Sequence, residues 1–180
     1  MKNLSAVIAV VMLGAASANA LAENNWYVDF ALASGGDDLA EVEVEYIGGD
    51  TGDVDITAGG GFSFAAGRSF DLSENGPWEG YVSLGYKSDG VFAISGDNAS
   101  FDRFPIDAMA FYRLGKFKIG GGVTYELNPE LDLDDTGLGS FDFDNALGVM
   151  AQFDWVVSDS VAIGLRYTAI DYEVPPSIMK

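Results

Sequence analysis

From Trp26 to Tyr172 the chain repeats one pattern: apolar residues fall at every second position, and each run stops in a cluster of Gly, Asp, Ser or Asn. Side chains of a β-strand alternate between two faces, so this period specifies strands with one apolar face; a helix would need apolar residues three and four apart. Trp26, Val28, Phe30 and Leu32 share one face of the first strand, with Tyr27, Asp29, Ala31 and Ala33 on the other. A second strand reads from Asp55 to Ala66, with Ile56, Ala58, Gly60, Phe62 and Phe64 aligned. Trp78 to Lys87, Arg103 to Arg113, Phe117 to Glu126, Ala146 to Trp155 and Val161 to Thr168 complete a set of seven strands.

The charges separate two architectures that share this alternation. A soluble sandwich or lipocalin-like barrel turns its apolar faces inward and its charges to water. The chain has 28 Asp and Glu against 9 Lys and Arg, so a solvated face should share that acid excess. The polar strand faces instead balance Asp29, Glu79, Asp107, Glu126 and Asp154 against Lys87, Arg103, Arg113, Lys118 and Arg166. Charges enclosed together must be paired, so this balance predicts an ion-paired lumen inside a barrel whose apolar face points outward.

Connection lengths agree. Ser34 to Val54, Ser88 to Asp102 and Asn128 to Asn145 are long; Gly67 to Pro77, Leu114 to Lys116 and Val157 to Ser160 are shorter. Long external loops alternating with short periplasmic turns mark transmembrane β-barrels. With the first strand running outward, Trp26, Phe64, Trp78, Tyr112, Phe117 and Trp155 form an aromatic girdle at the turn end. Tyr86, Phe104, Tyr125 and Tyr167 form a second near the loops. Counting Leu39 to Ile47 as a further spanning strand would reverse every later one and scatter the three Trp, so that segment is expected to protrude as a ribbon. Gly59 to Gly61 and Gly120 to Gly122 are expected inside strands, relieving crowding in a narrow barrel.

The stretches 103–115 (RFPIDAMAFYRLG) and 163–172 (IGLRYTAIDY) are strand and hairpin segments of a kind. Through them the chain resembles the small eight-stranded outer-membrane β-barrels of Gram-negative bacteria, the outer-membrane-protein A and X type, across residues 26–173. The resemblance implies an antiparallel up-and-down transmembrane β-barrel with an expected eight strands, of which seven are visible. It also implies that the barrel-assembly machinery reads a terminal aromatic residue on the last strand. Here residues 173–180 (EVPPSIMK) contain adjacent prolines and end in Lys180, so no eighth strand is expected there. The reading is of a truncated or frame-shifted product with a non-strand tail at 175–180.

Residues 1–20 read as a signal peptide: Lys2 precedes the apolar run Leu4 to Leu13, and Ala18-Asn19-Ala20 has the small-x-small form of a cleavage site. Removal would leave a chain of 8 bases against 28 acids, a formal charge of −20, with a barrel domain at 21–174. The expected location is the outer membrane, with lipid and lipopolysaccharide as neighbours. Such acidity excludes nucleic acid as a partner, since phosphate binding rests on Lys and Arg.

The chain contains no His and no Cys, which removes the usual general base, thiol nucleophiles and disulfides. Enzymatic members of the resembled class mostly use His, so no enzyme activity and no cofactor are expected. The acidic loops hold Asp37, Asp38, Glu41, Glu43, Glu45, Asp50 and Asp53, then Glu130, Asp132, Asp134, Asp135, Asp142 and Asp144, without a base. Oxygen-rich loops suit Ca²⁺ or Mg²⁺, and Asp132, Asp134 and Asp135 are the candidate weak metal site. Phe143 stands at the twelfth position from Asp132, where a calcium loop needs Glu. The expected function is a non-enzymatic barrel with a plugged lumen and acidic loops for cation, lipopolysaccharide or surface contact. A small pore or ligand-binding barrel is the second reading and a soluble periplasmic calycin-like binder the third.

Overall fold

The computed structural model describes residues 3–16, 25–45, 51–74, 76–92, 98–133 and 139–173, and every regular element among them is a β-strand. In chain order these are β1 (Asn3–Ala16), β2 (Trp26–Gly35), β3 (Asp38–Glu45), β4 (Thr51–Thr57), β5 (Gly61–Asp71) and β6 (Trp78–Phe92). Then come β7 (Asn98–Leu114), β8 (Phe117–Leu133), β9 (Gly139–Asp142), β10 (Ala146–Ser158) and β11 (Val161–Glu173). The main sheet is antiparallel and curled into a barrel-like form: its order is β10-β11-β1-β2-β5-β6-β7-β8-β9, and β8 also pairs with β10. One end carries the turns 72–77, 115–116 and 159–160 (the turn end); the other is the loop end.

The place of an eighth strand is taken by β1, within the segment whose sequence reads as a signal peptide. It pairs with β11 from Asn3 opposite Glu173 to Ala16 opposite Val161, and with β2 from Ile8 opposite Gly35 to Val11 opposite Leu32. The tail at 175–180 lies outside the described residues.

The expected strand Asp55 to Ala66 is two elements. β4 pairs with β3 in a separate two-stranded ribbon, and the chain then turns at Ala58–Gly60 to enter the main sheet as β5. Gly61 makes this turn at φ 94°, and a Cβ there would lie 1.9 Å from the Ser88 carbonyl oxygen, so only glycine fits. The ribbon stays outside the main sheet, but its base does not protrude: Ile56 and Ala58 are fully buried in the interior.

The other differences come from ladders that continue past the expected loop boundaries. β6 and β7 extend through much of Ser88 to Asp102, and β8 and β9 pair within Asn128 to Asn145. Between Asp102 opposite Glu130 and Phe104 opposite Leu127, β8 contains one extra residue, and Asn128 sits there at φ 47°. This β-bulge changes which residues face inward, from Thr124 and Glu126 below it to Pro129, Leu131 and Leu133 above it.

The interior has three layers, all legible on β7. Ala99 and Phe101 belong to an apolar cluster at the loop end with Ile56, Leu131, Leu133, Phe143, Ile170 and Tyr172. Arg103 and Asp107 lie in a polar middle; Met109 and Phe111 pack with Met150 and Tyr81 toward the turn end. Gly120 and Gly122 make room for this last layer: a Cβ on Gly120 would lie 2.6 Å from the Phe111 ring, and one on Gly122 would lie 2.7 Å from the Met109 Cα.

Candidate functional site

Nine of the ten charged residues marked on the polar strand faces fall into three groups, and Lys87 lies between two of them. In the middle layer, β11 directs Arg166 between two carboxylates from other strands, with Nη1 3.0 Å from Asp107 and Nη2 3.4 Å from Asp29. Its Nε donates to Gln152 at 2.7 Å, and the Gln152 amide donates to Asp154 at 2.8 Å. One oxygen each of Asp29 and Asp107 is buried without a hydrogen-bond partner, and among the described residues Arg166 is the only cation within ion-pair distance of either carboxylate.

A second group forms the floor of the apolar cluster. Arg103 is fully buried at the bulge, 3.4 Å from Glu126, and donates to the carbonyls of Phe101 and Ala58, each at 2.9 Å. The Ala58 bond fastens the base of the β3–β4 ribbon over the lumen, and Asp89 adds bonds of 2.9 Å from the Thr57 amide and hydroxyl. Tyr172 donates to Glu126 from β11. Lys87 is buried between these groups, beside a cavity of about 40 Å³ shared with Asp107, Glu126 and Arg166.

The third group is at the turn end. Glu79 receives Lys118 at 2.5 Å and Arg113 at 3.2 Å, and the Tyr81 hydroxyl donates to it at 3.0 Å. Glu79, Tyr81, Arg113 and Lys118 line part of a cavity of about 320 Å³ that also borders Trp26 and Tyr27. Sequence reasoning did not mark Gln152, Tyr81 or Tyr172. All three stand on the same strand faces as marked charges, which was the available signal.

Outside, the faces are reversed from those of a water-soluble protein. Leu147, Val149, Phe153 and Trp155 are exposed along β10 while Ala146, Gly148, Met150 and Gln152 are buried. Trp26, Trp78, Phe117 and Trp155 are exposed at the turn end, where Trp78 meets Tyr112 edge-on at 5.1 Å and Phe117 stacks on Phe153 at 5.6 Å. Phe64 does not belong to this row. It lies opposite Tyr86 and Phe30, with the loop-end aromatics, because its strand begins at Gly61 and not at Asp55. Tyr86 in turn packs against Phe104 at 5.5 Å.

Of the candidate metal residues, Asp134 and Asp135 lie outside the described residues, and Asp132 is a half-buried member of β8. Among the described residues no group of three acidic, His or Cys side chains is arranged to hold an ion. No family model matches the chain, and no curated protein matches it.

Proposed function

We propose that the protein is an outer-membrane β-barrel of a Gram-negative bacterium. In this reading it is non-enzymatic, its lumen is filled by side chains, and its acidic loops meet cations, lipopolysaccharide or another surface. One observation carries the membrane reading: large apolar side chains cover the outside of the sheet while Arg103, Asp107, Glu126 and Asp29 are buried inside it. A continuous exposed apolar belt would drive aggregation in water, whereas lipid is its natural solvent. Trp78 and Tyr86 bracket the belt on β6; eight residues at ~3.3 Å span ~26 Å along the strand, about 20 Å vertically at a tilt of about 40°. That suits the apolar band of about 25 Å typical of these membranes.

The plugged lumen rests on the apolar cluster around Phe101, Phe143 and Tyr172 at one end and Met109, Phe111 and Met150 toward the other. The decisive experiment is refolding with and without detergent micelles, followed by gel electrophoresis of boiled and unboiled samples. Detergent-dependent folding with a heat-dependent mobility shift is expected; a monodisperse folded chain in plain buffer would favour the soluble binder and sink the membrane reading. The ligand-binding alternative has the turn-end cavity in its favour. Planar-bilayer recording tests the pore version: folded protein should be silent, and steady conductance would remove the plugged-lumen reading.

A further inference from the structure

β2 and β11 border the gap that β1 occupies in the ring, and six antiparallel steps through β5, β6, β7, β8 and β10 make them run in the same direction. Closing directly across two such edges would make a parallel pair; an all-antiparallel ring needs a strand running the other way. Two copies in the same membrane orientation, set edge to edge, would likewise pair in parallel. β1 fills the gap unevenly. It follows β11 along nearly its whole length, but among the described residues it pairs with β2 only at Leu32–Gly35, and Trp26–Ala31 are paired only to β5.

The side-chain chemistry at the gap is also incomplete. Asp29 on β2 and Arg166 on β11 reach each other across it at 3.4 Å, and Asp29 keeps a buried oxygen with no hydrogen-bond partner. Ile8, Val10 and Met12 hold the register positions opposite Thr168, Arg166 and Gly164, and none of these residue types carries a hydrogen-bond donor. The segment is also the one that reads as a removable signal peptide.

We propose that the gap between β2 and β11 is a strand-acceptor site for a single amphipathic β-strand of another polypeptide. That strand runs opposite to β2 and β11, is apolar on its outer face, and brings a Lys, Arg, Ser or Thr donor to Asp29 on its inner face. Asn3–Ala16 is a placeholder that such a strand displaces. The inference rests on the outer-membrane reading.

The test uses the full chain refolded in detergent, in which introduced cysteines are unique because the chain has none. The probe is a twelve-residue peptide alternating Leu or Val with Ser or Thr, carrying Lys at its centre and one Cys; a control peptide has Asp in place of Lys. With Ala169→Cys on β11, the Lys peptide should be captured as a disulfide roughly ten-fold better than the Asp peptide, since a buried charge-assisted bond separates them. In the double variant Val7→Cys, Ala169→Cys, the same peptide should lower the internal disulfide yield. Equal capture of both peptides, or an internal disulfide indifferent to the peptide, would overturn the site. Loss of the heat-dependent gel shift in the same samples would instead count against the membrane barrel itself.

Discussion

Two neighbouring regions of one interior solve the burial problem in opposite ways. The middle layer encloses Arg166, Asp29, Asp107, Lys87, Arg103 and Glu126, while the loop-end cluster above it encloses Phe101, Phe143, Leu131, Leu133 and Ile56. The same strands, β7 and β8, supply both. The middle layer is specific and costly: each ion loses its hydration, and its contribution depends on the partner staying in place. The cluster is non-directional, and its contribution follows the apolar area removed from water. The boundary between them is set on β8 by the extra residue at Asn128 and on β7 by Arg103, which serves both sides.

Breaking the charged layer should have the largest effect. Arg166→Ala leaves Asp29 and Asp107 buried without a cation, and removing one member of a buried pair typically costs about 3–5 kcal/mol. Urea unfolding in micelles, followed by Trp fluorescence, should show that loss. Combining Arg166→Met with Asp29→Asn and Asp107→Asn should recover most of it, because the orphaned charges are then gone. A single Arg166→Ala costing under about 1 kcal/mol would mean that water already solvates this layer.

Phe101→Ala tests the apolar cluster. The ring is fully buried, meets Phe143 at 5.6 Å and Tyr172 at 5.5 Å, and lies under the Arg103 guanidinium at 4.3 Å. Core Phe→Ala changes cost about 3–5 kcal/mol; the lower end is expected here because the cluster closes an open mouth and water can relieve part of the cavity. The same variant should admit small ions in bilayer recording if this cluster is the plug.

The middle layer was readable from the sequence and the cluster was not, for a physical reason. Strict alternation marks a residue's face as long as the ladder is regular, and from Trp78 to Lys87 or Ala146 to Trp155 it is regular. Nine of the ten marked charges are therefore buried or half-buried, and Arg113 is exposed at the turn end. Alternation fails at a one-residue bulge, so everything past Leu127 on β8 changed face, and what reads as an acidic loop turned its Leu131, Leu133 and Phe143 inward. The local signal was the Asn128-Pro129 pair, a turn-favouring dipeptide inside an apparent strand. Gly59-Gly60-Gly61 was likewise a bend inside an apparent strand, which put Phe64 in the turn-end row although it belongs with the loop-end aromatics. The closing strand was illegible because the segment that occupies it has the composition of a signal peptide.

Asn128 sharpens the comparison at its boundary. A residue with positive φ and a β-branched side chain is strained, so Asn128→Val should cost about 1–3 kcal/mol, while Asn128→Gly should be close to neutral apart from the lost identity of a turn residue. Deleting Asn128 should be milder than Asn128→Val, since regular alternation then still turns Pro129, Leu131 and Leu133 inward. If deletion is the most damaging of the three, the bulge has a role beyond selecting that face.

The smallest effect is expected just past the loop-end aromatic row, beyond Phe104 on β7. Burial works to raise the Asp102 carboxyl, but hydrogen bonds from Ser88, Tyr86 and Ser100, with Arg103 nearby, outweigh it and hold the group below the usual aspartate range. Two of those bonds are short: the Tyr86 hydroxyl at 2.6 Å and Ser100 at 2.7 Å. A group whose affinity for protons is lower in the folded state stabilises that state above its unfolded pKa, and this contribution is lost as pH falls through the lower, folded value. Asp102→Asn should therefore cost about 1 kcal/mol or less at pH 7, and the difference from the unchanged chain should shrink below about pH 4. Unfolding midpoints of both proteins across that range measure it. A difference that persists at low pH would assign the effect to packing of Tyr86 and Ser100, and Asp102 would then resemble the apolar cluster in how it stabilises the loop end more than it resembles the charged layer.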